Sequence, residues 1–235
     1  MNRLYGNVNW CGVAAVMLLL SVLGRPAIAA EPKAPDFQAL VQELQKMQKE
    51  AGSITLLLWF PPQYWEACLA NDARVTDKQK KDLVEALRPY TVIAVVDGNI
   101  GTFGNMTYKP EAEIRDKTLL LDAKGKTYGP LGEEDVQTGA KVVLSAMKPV
   151  MAGMLGPMGK NLHILLFPAA DSAGRQIADA KGKGNLVVKL DKREFRWKLP
   201  LGSLLPAKYC TQCKEKCSGA WDFCPWCGSK LSDTQ

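Results

Sequence analysis

Thiols are the side chains of this sequence best placed to do chemistry. Five of its seven cysteines fall in the last 26 positions. They read Cys210-Thr-Gln-Cys213, then ten residues, then Cys224-Pro-Trp-Cys227-Gly228, with Cys217 between the pairs. One CxxC turn presents two sulfurs to a single metal ion, and two such turns complete the tetrahedron that zinc prefers. The same turn aims backbone N–H groups at the sulfurs and offsets their negative charge. Gly228 suits the residue after such a turn, where the chain often takes a positive φ. Lys214 holds the matching place after the first pair. In an oxidising compartment the same cysteines have a second outcome, a disulfide staple, although adjacent CxxC cysteines make strained disulfides.

Residues 208–231 resemble the zinc-ribbon module. That resemblance implies one structural zinc ion on Cys210, Cys213, Cys224 and Cys227. It leaves Cys217 as a spare thiol or as a substitute ligand for Cys213. A segment this short has little core of its own, so metal would supply its folding energy. Cys224-Pro-Trp-Cys227 also resembles a thioredoxin-type redox pair, which gives the alternative reading of a thiol-disulfide protein. In that fold a long helix and further strands follow the motif, whereas eight residues follow here.

Other chemistry is thinner. Met147, Met151, Met154 and Met158 stand at i, i+4, i+7 and i+11, which is one face of a helix. They suit core packing, an adaptable groove, or a soft copper(I) site with His163 nearby. His163 is the one histidine, and that excludes an HExxH zinc protease. A serine triad would need it, and no GxSxG elbow accompanies it. A Cys68–His163 dyad is the remaining nucleophile option. Gly125-Lys126-Thr127 imitates the end of a P-loop, but the required first glycine falls on Leu120. No set of catalytic groups emerges, and a non-catalytic binding or envelope-associated protein is the expectation.

The N-terminus bears on the fate of the thiols. Arg3, an apolar run from Val13 to Leu23 and Ala27-Ile28-Ala29 describe a secretory signal peptide over residues 1–30. The run is short for a membrane span, which takes about 20 residues; an uncleaved anchor is the alternative. Cleavage would place the protein in the periplasm or outside the cell. It would leave 28 basic and 24 acidic side chains, a net charge of +4. Seven of the basic residues lie between Lys181 and Lys198, against Asp191 and Glu194. Among them Lys189, Lys192, Arg193, Arg196 and Lys198 form either a solvated face or a contact for a protein or an anionic envelope surface. Nucleic acid is not the expected partner of an exported chain. Membrane contact is expected only through an uncleaved N-terminus.

These side chains need elements to position them. Phe37, Leu40, Val41, Leu44 and Met47 recur at helical spacing, and a helix is expected from Asp36 to Ala51. Ile54–Phe60 and Tyr90–Val96 have strand character, as does Asn161–Phe167. Thr76-Asp-Lys-Gln79 forms a capping box for a helix reaching Leu87. Two hairpins are expected: Ile114–Leu121 with Thr127–Leu131, and Leu186–Leu190 with Phe195–Leu199. Lys141–Met158 has a helical pattern interrupted at Pro149. Helices inserted among strands, rather than alternating with them, argue against a parallel doubly wound sheet. The fold class is therefore mainly β or α+β, an antiparallel sandwich-like body with inserted helices. The division is residues 31–52 as an amphipathic helix, 53–206 as the body and 207–235 as the ribbon. Residues 114–204 loosely resemble exported immunoglobulin-like sandwiches.

Overall fold

The computed structural model describes residues 36–70 and 72–232. Cys11 and the expected export signal lie outside the described residues. Among the described residues no helix is long and apolar enough to cross a membrane.

Helix α1 (Phe37–Leu44) opens on Asp36, whose carboxylate accepts from the Ala39 amide at 3.2 Å. It buries Leu40 and Leu44. The expected helix to Ala51 is a correction, because the chain turns extended at Gln45. Strand β1 (Gln45–Glu50) instead pairs antiparallel with β2 (Ser53–Phe60), from Gln45 opposite Leu58 to Glu50 opposite Ser53. Helical spacing placed Met47 on the buried face, yet it is 54% exposed. A sheet edge was available to these backbone groups, and the polar side chains of Gln45–Glu50 suit an edge strand.

Helix α2 (Pro62–Leu69) and helix α3 (Asp77–Leu87) follow. The capping box at α3 is complete: Thr76 accepts from the Gln79 amide and the Gln79 side chain accepts from the Thr76 amide. Strand β3 (Tyr90–Ile100) is the centre of the first sheet. It pairs with β2 on one side. On the other it pairs with β7 (His163–Pro168) and, further along, with β4 (Met106–Tyr108). Its residues Val92–Val96 are fully buried, as befits a strand covered on both faces.

Residues 114–117 form a helix, not the expected strand. Helix α4 (Glu111–Lys117) follows Pro110 and carries Glu111 and Glu113 in its first turn and Arg115 and Lys117 in its last, an arrangement that complements the helix dipole. Strand β5 (Thr118–Leu121) then forms a second antiparallel sheet with β6 (Thr127–Tyr128), β8 (Gly184–Leu190) and β9 (Arg193–Leu199), in the order β6-β5-β8-β9. Helix α5 (Thr138–Met154) runs through Pro149 without a break. Neither sheet closes on itself, and the architecture is α+β with antiparallel sheets.

One core joins both sheets. The β8–β9 hairpin has the expected alternation, with Phe195, Trp197 and Leu199 buried and Arg196 and Lys198 exposed. Trp197 meets Trp59 of β2 edge-on at 6.1 Å, and its Nε1 donates to the Leu44 carbonyl at 3.0 Å. That bond satisfies a carbonyl freed where α1 ends. Arg193 also departs from expectation. It is not a surface cation: it forks onto Asp97 of β3 with two bonds of 2.7 Å. Thr55 Oγ1 donates to the same carboxylate at 2.8 Å, and Lys109 Nζ lies 3.0 Å away. Arg196 and Lys189 both approach Glu194, so the basic hairpin carries less free charge than its composition indicates.

Candidate metal centre

The tail enters from a 3-10 turn, Gly202–Leu204, that is anchored to α1. The Glu43 carboxylate accepts from the Gly202 amide at 2.8 Å and from the Ser203 amide at 2.9 Å. The chain then forms strands β10 (Lys208–Tyr209) and β11 (Lys216–Cys217), paired antiparallel around the first CxxC turn. Gly219 returns against the linker so closely that an added Cβ would lie 2.3 Å from the Pro206 carbonyl oxygen.

The two CxxC turns have the same backbone. Cys210 N donates to Glu215 O and Lys214 N to Cys210 O; fourteen residues later Cys224 N donates to Ser229 O and Gly228 N to Cys224 O. Lys214 and Gly228 take the same left-handed conformation, with φ of 62° and 74°. The mismatch at Lys214 is thus one of residue type and not of shape. A side chain there opposes the left-handed backbone by about 1–2 kcal/mol, partly offset because glycine has more freedom to lose. Lys214→Gly should raise the stability of the tail by about 0.5–1 kcal/mol, measured as resistance to chelation or heat. A loss of stability would mean that the lysine stem contributes more than its backbone costs.

The turns bring Cys210, Cys213, Cys224 and Cys227 together, with all four sulfurs within 4.8 Å of one another. Two close pairs cross between the turns: Cys210 to Cys227 at 3.4 Å and Cys213 to Cys224 at 3.6 Å. These distances are far beyond the S–S bond of about 2.05 Å. The sulfurs differ in their protonation. The Ser229 hydroxyl and amide, with Cys210 beside them, pull Cys227 down to about 6. Burial opposes the Cys224 thiolate, but the Cys227 and Trp226 amides outweigh it and lower the pKa. The Glu215 amide favours the Cys213 thiolate, yet burial and the three facing sulfurs push it up to about 12. Four anionic sulfurs this close repel one another, and a cation among them removes the conflict. The site can therefore hold a metal ion.

Cys217 lies outside this group but directly behind it. Its sulfur is 3.9 Å from that of Cys224 and is buried. The tail aligned on itself explains why. Residues 208–217 (KYCTQCKEKC) and 222–231 (DFCPWCGSKL) match at an offset of fourteen, and Cys217 falls opposite Leu231. These two residues, with Cys210 and Cys224, make up the tail's own small core. Cys217 thus serves as an apolar plug. Cys217→Ala should retain all bound metal and cost about 1 kcal/mol. Loss of metal in that variant would return Cys217 to the ligand set.

The remaining candidates do not assemble. His163 Nδ1 lies 3.3 Å from Glu111, whereas Cys68 sits beside Tyr64, with burial the main cause of its raised pKa; nothing joins the two into a dyad. Met151 is buried, Met147 and Met158 pack on the core, and Met154 faces solvent. Met158 falls in the 3-10 turn after α5, so the methionine stripe divides among packing roles. Comparison with protein-family models, with curated proteins and with solved structures finds no match for the chain.

Proposed function

We propose that this chain is an exported, non-catalytic protein whose C-terminal zinc ribbon is both a structural clamp and a binding module. The observation that carries the reading is the convergence of four sulfurs within 4.8 Å. Four ligands at about 2.3 Å from a tetrahedral zinc are about 3.8 Å from one another, a value between the 3.4 and 3.6 Å of two pairs here and the 4.8 Å within which all four sulfurs lie. The binding role is supported by what the module presents. Tyr209, Trp221, Phe223 and Trp226 are all exposed, and aromatic rings standing in solvent are favoured anchors at protein interfaces. Export is supported by the basic, apolar and A-x-A sequence of residues 1–30.

Metal analysis and thiol counting on protein purified from its native compartment test the reading. One zinc per chain is expected, with four thiols shielded until a chelator is added. The mature chain is expected to begin at Ala30 or Glu31. A metal-free protein with a reversible Cys224–Cys227 disulfide would overturn the ribbon in favour of the redox alternative.

A further inference from the structure

Each CxxC turn keeps one sulfur in solvent and one inside. Cys213 and Cys227 are exposed, whereas Cys210 and Cys224 are buried. The close pairs between the turns join the two kinds: Cys227 faces Cys210 at 3.4 Å, and Cys213 faces Cys224 at 3.6 Å. The offset of fourteen that relates the turns carries one pair onto the other, because it sets Cys210 on Cys224 and Cys213 on Cys227. Cys217 also approaches Cys224, but at 3.9 Å and as a buried thiol. A disulfide is about 2.05 Å long, so closing either cross-turn pair takes a shift of roughly 1.5 Å shared by two side chains.

Building on the zinc ribbon proposed above, we propose that its four thiols are also a redox-modification site. A low-molecular-weight disulfide such as oxidised glutathione converts them to Cys210–Cys227 and Cys213–Cys224, zinc leaves, and the two turns stay tied together. The exposed thiolate, Cys227 or Cys213, attacks one glutathione sulfur; the glutathione S–S bond breaks and the first glutathione thiolate leaves. The buried partner, Cys210 or Cys224, already faces the mixed disulfide so formed. Its thiolate attacks the protein sulfur, the mixed S–S bond breaks and the second glutathione leaves. Over both pairs, four zinc-bound thiolates, two glutathione disulfides and four solvent protons become two protein disulfides, four glutathione thiols and a free zinc ion. Bonds within a turn, Cys210–Cys213 or Cys224–Cys227, are strained and leave nothing to join the turns once zinc has gone. Cross-turn bonds take over the restraint that the metal supplied, so exposed Tyr209, Trp221, Phe223 and Trp226 remain on a folded module after zinc is released.

The test uses the zinc-loaded full chain in oxidised glutathione with a chromogenic chelator. Zinc should be released, and peptide mapping should find Cys210–Cys227 and Cys213–Cys224, with Cys217 still a thiol. Hydrogen exchange should show protection retained from Tyr209 to Leu231 in the oxidised protein, and lost when dithiothreitol is added with the chelator still present. Cys217→Ala should change the rate of zinc release by less than about twofold. A zinc-loaded chain that forms Cys210–Cys213, Cys224–Cys227 or any bond to Cys217, or whose tail loses protection on oxidation, overturns this inference and leaves the ribbon standing. So does release slowed manyfold in Cys217→Ala. A reduced chain that takes up no zinc overturns the ribbon itself.

Discussion

Asp97→Asn should cost about 3–5 kcal/mol of stability, several times the effect of an ordinary surface substitution. The carboxylate is 2% exposed and receives Arg193, Lys109 and Thr55 together. The amide cannot neutralise them, so the Arg193 guanidinium loses its paired anion between the sheets, and Lys109 keeps only Glu113 at 3.9 Å. Apolar replacement of both main partners, Asp97→Leu with Arg193→Met, should recover most of the loss, because the pair's attraction is largely offset by its desolvation. Burial alone would raise the Asp97 pKa; Arg193, Lys109 and Thr55 outweigh it and hold the carboxyl at about 2, below its ordinary 3.8. A depressed folded-state pKa adds stability above the unfolded value, and that stability is lost as pH falls through the folded one. The wild type should thus lose about 2 kcal/mol more than Asp97→Asn between pH 4 and pH 2. Asp72, held at about 2 chiefly by the Arg74 side chain, and Asp171, held at about 2 chiefly by the Arg175 amide, titrate in both proteins and cancel. Parallel acid-unfolding curves would sink the assignment.

This pairing also marks where sequence reading stopped. Asp97 and Arg193 are 96 residues apart, and no local pattern announces their meeting; Arg193 reads as one more cation in a basic hairpin. Features set by local chemistry were legible. Thr76 and Gln79 form a capping box from four residues alone, and the alternation of Phe195, Trp197 and Leu199 fixes which face of β9 is buried. Gln45–Glu50 was misread because its helical spacing is genuine, while the sheet edge that captures it is tertiary. The convergence of Cys210, Cys213, Cys224 and Cys227 was legible because CxxC is itself a turn. Cys217 read as a spare thiol or a substitute ligand; the signal for its packing role is a ten-residue repeat at an offset of fourteen, which sets it opposite Leu231. That repeat is hidden by substitution at seven of its ten positions.

Cys224→Ser should release the metal and unfold residues 208–231 while the body stays folded. The expectation rests on two separate cores. The main core includes nothing beyond Leu201 among its buried residues and Leu204 among the partly buried ones. The tail's own buried cluster is four residues, two of them proposed ligands, which is far too little apolar area to fold a segment unaided. Structural zinc supplies apparent energies of about 10–16 kcal/mol to such modules, so removing one thiolate takes away most of what opposes chain entropy. Hydrogen exchange should show protection lost from about Tyr209 to Leu231 and retained in β2, β3 and β8. The emission of Trp221 and Trp226 should change, and a chelator should reproduce both effects in the wild type. Glu43 should still hold Gly202 and Ser203, so that proteolysis begins after the anchor, near Lys208. A tail that keeps its protection in Cys224→Ser and in chelator would show that packing against Leu205 and Pro206 folds it, and metal would lose its structural role.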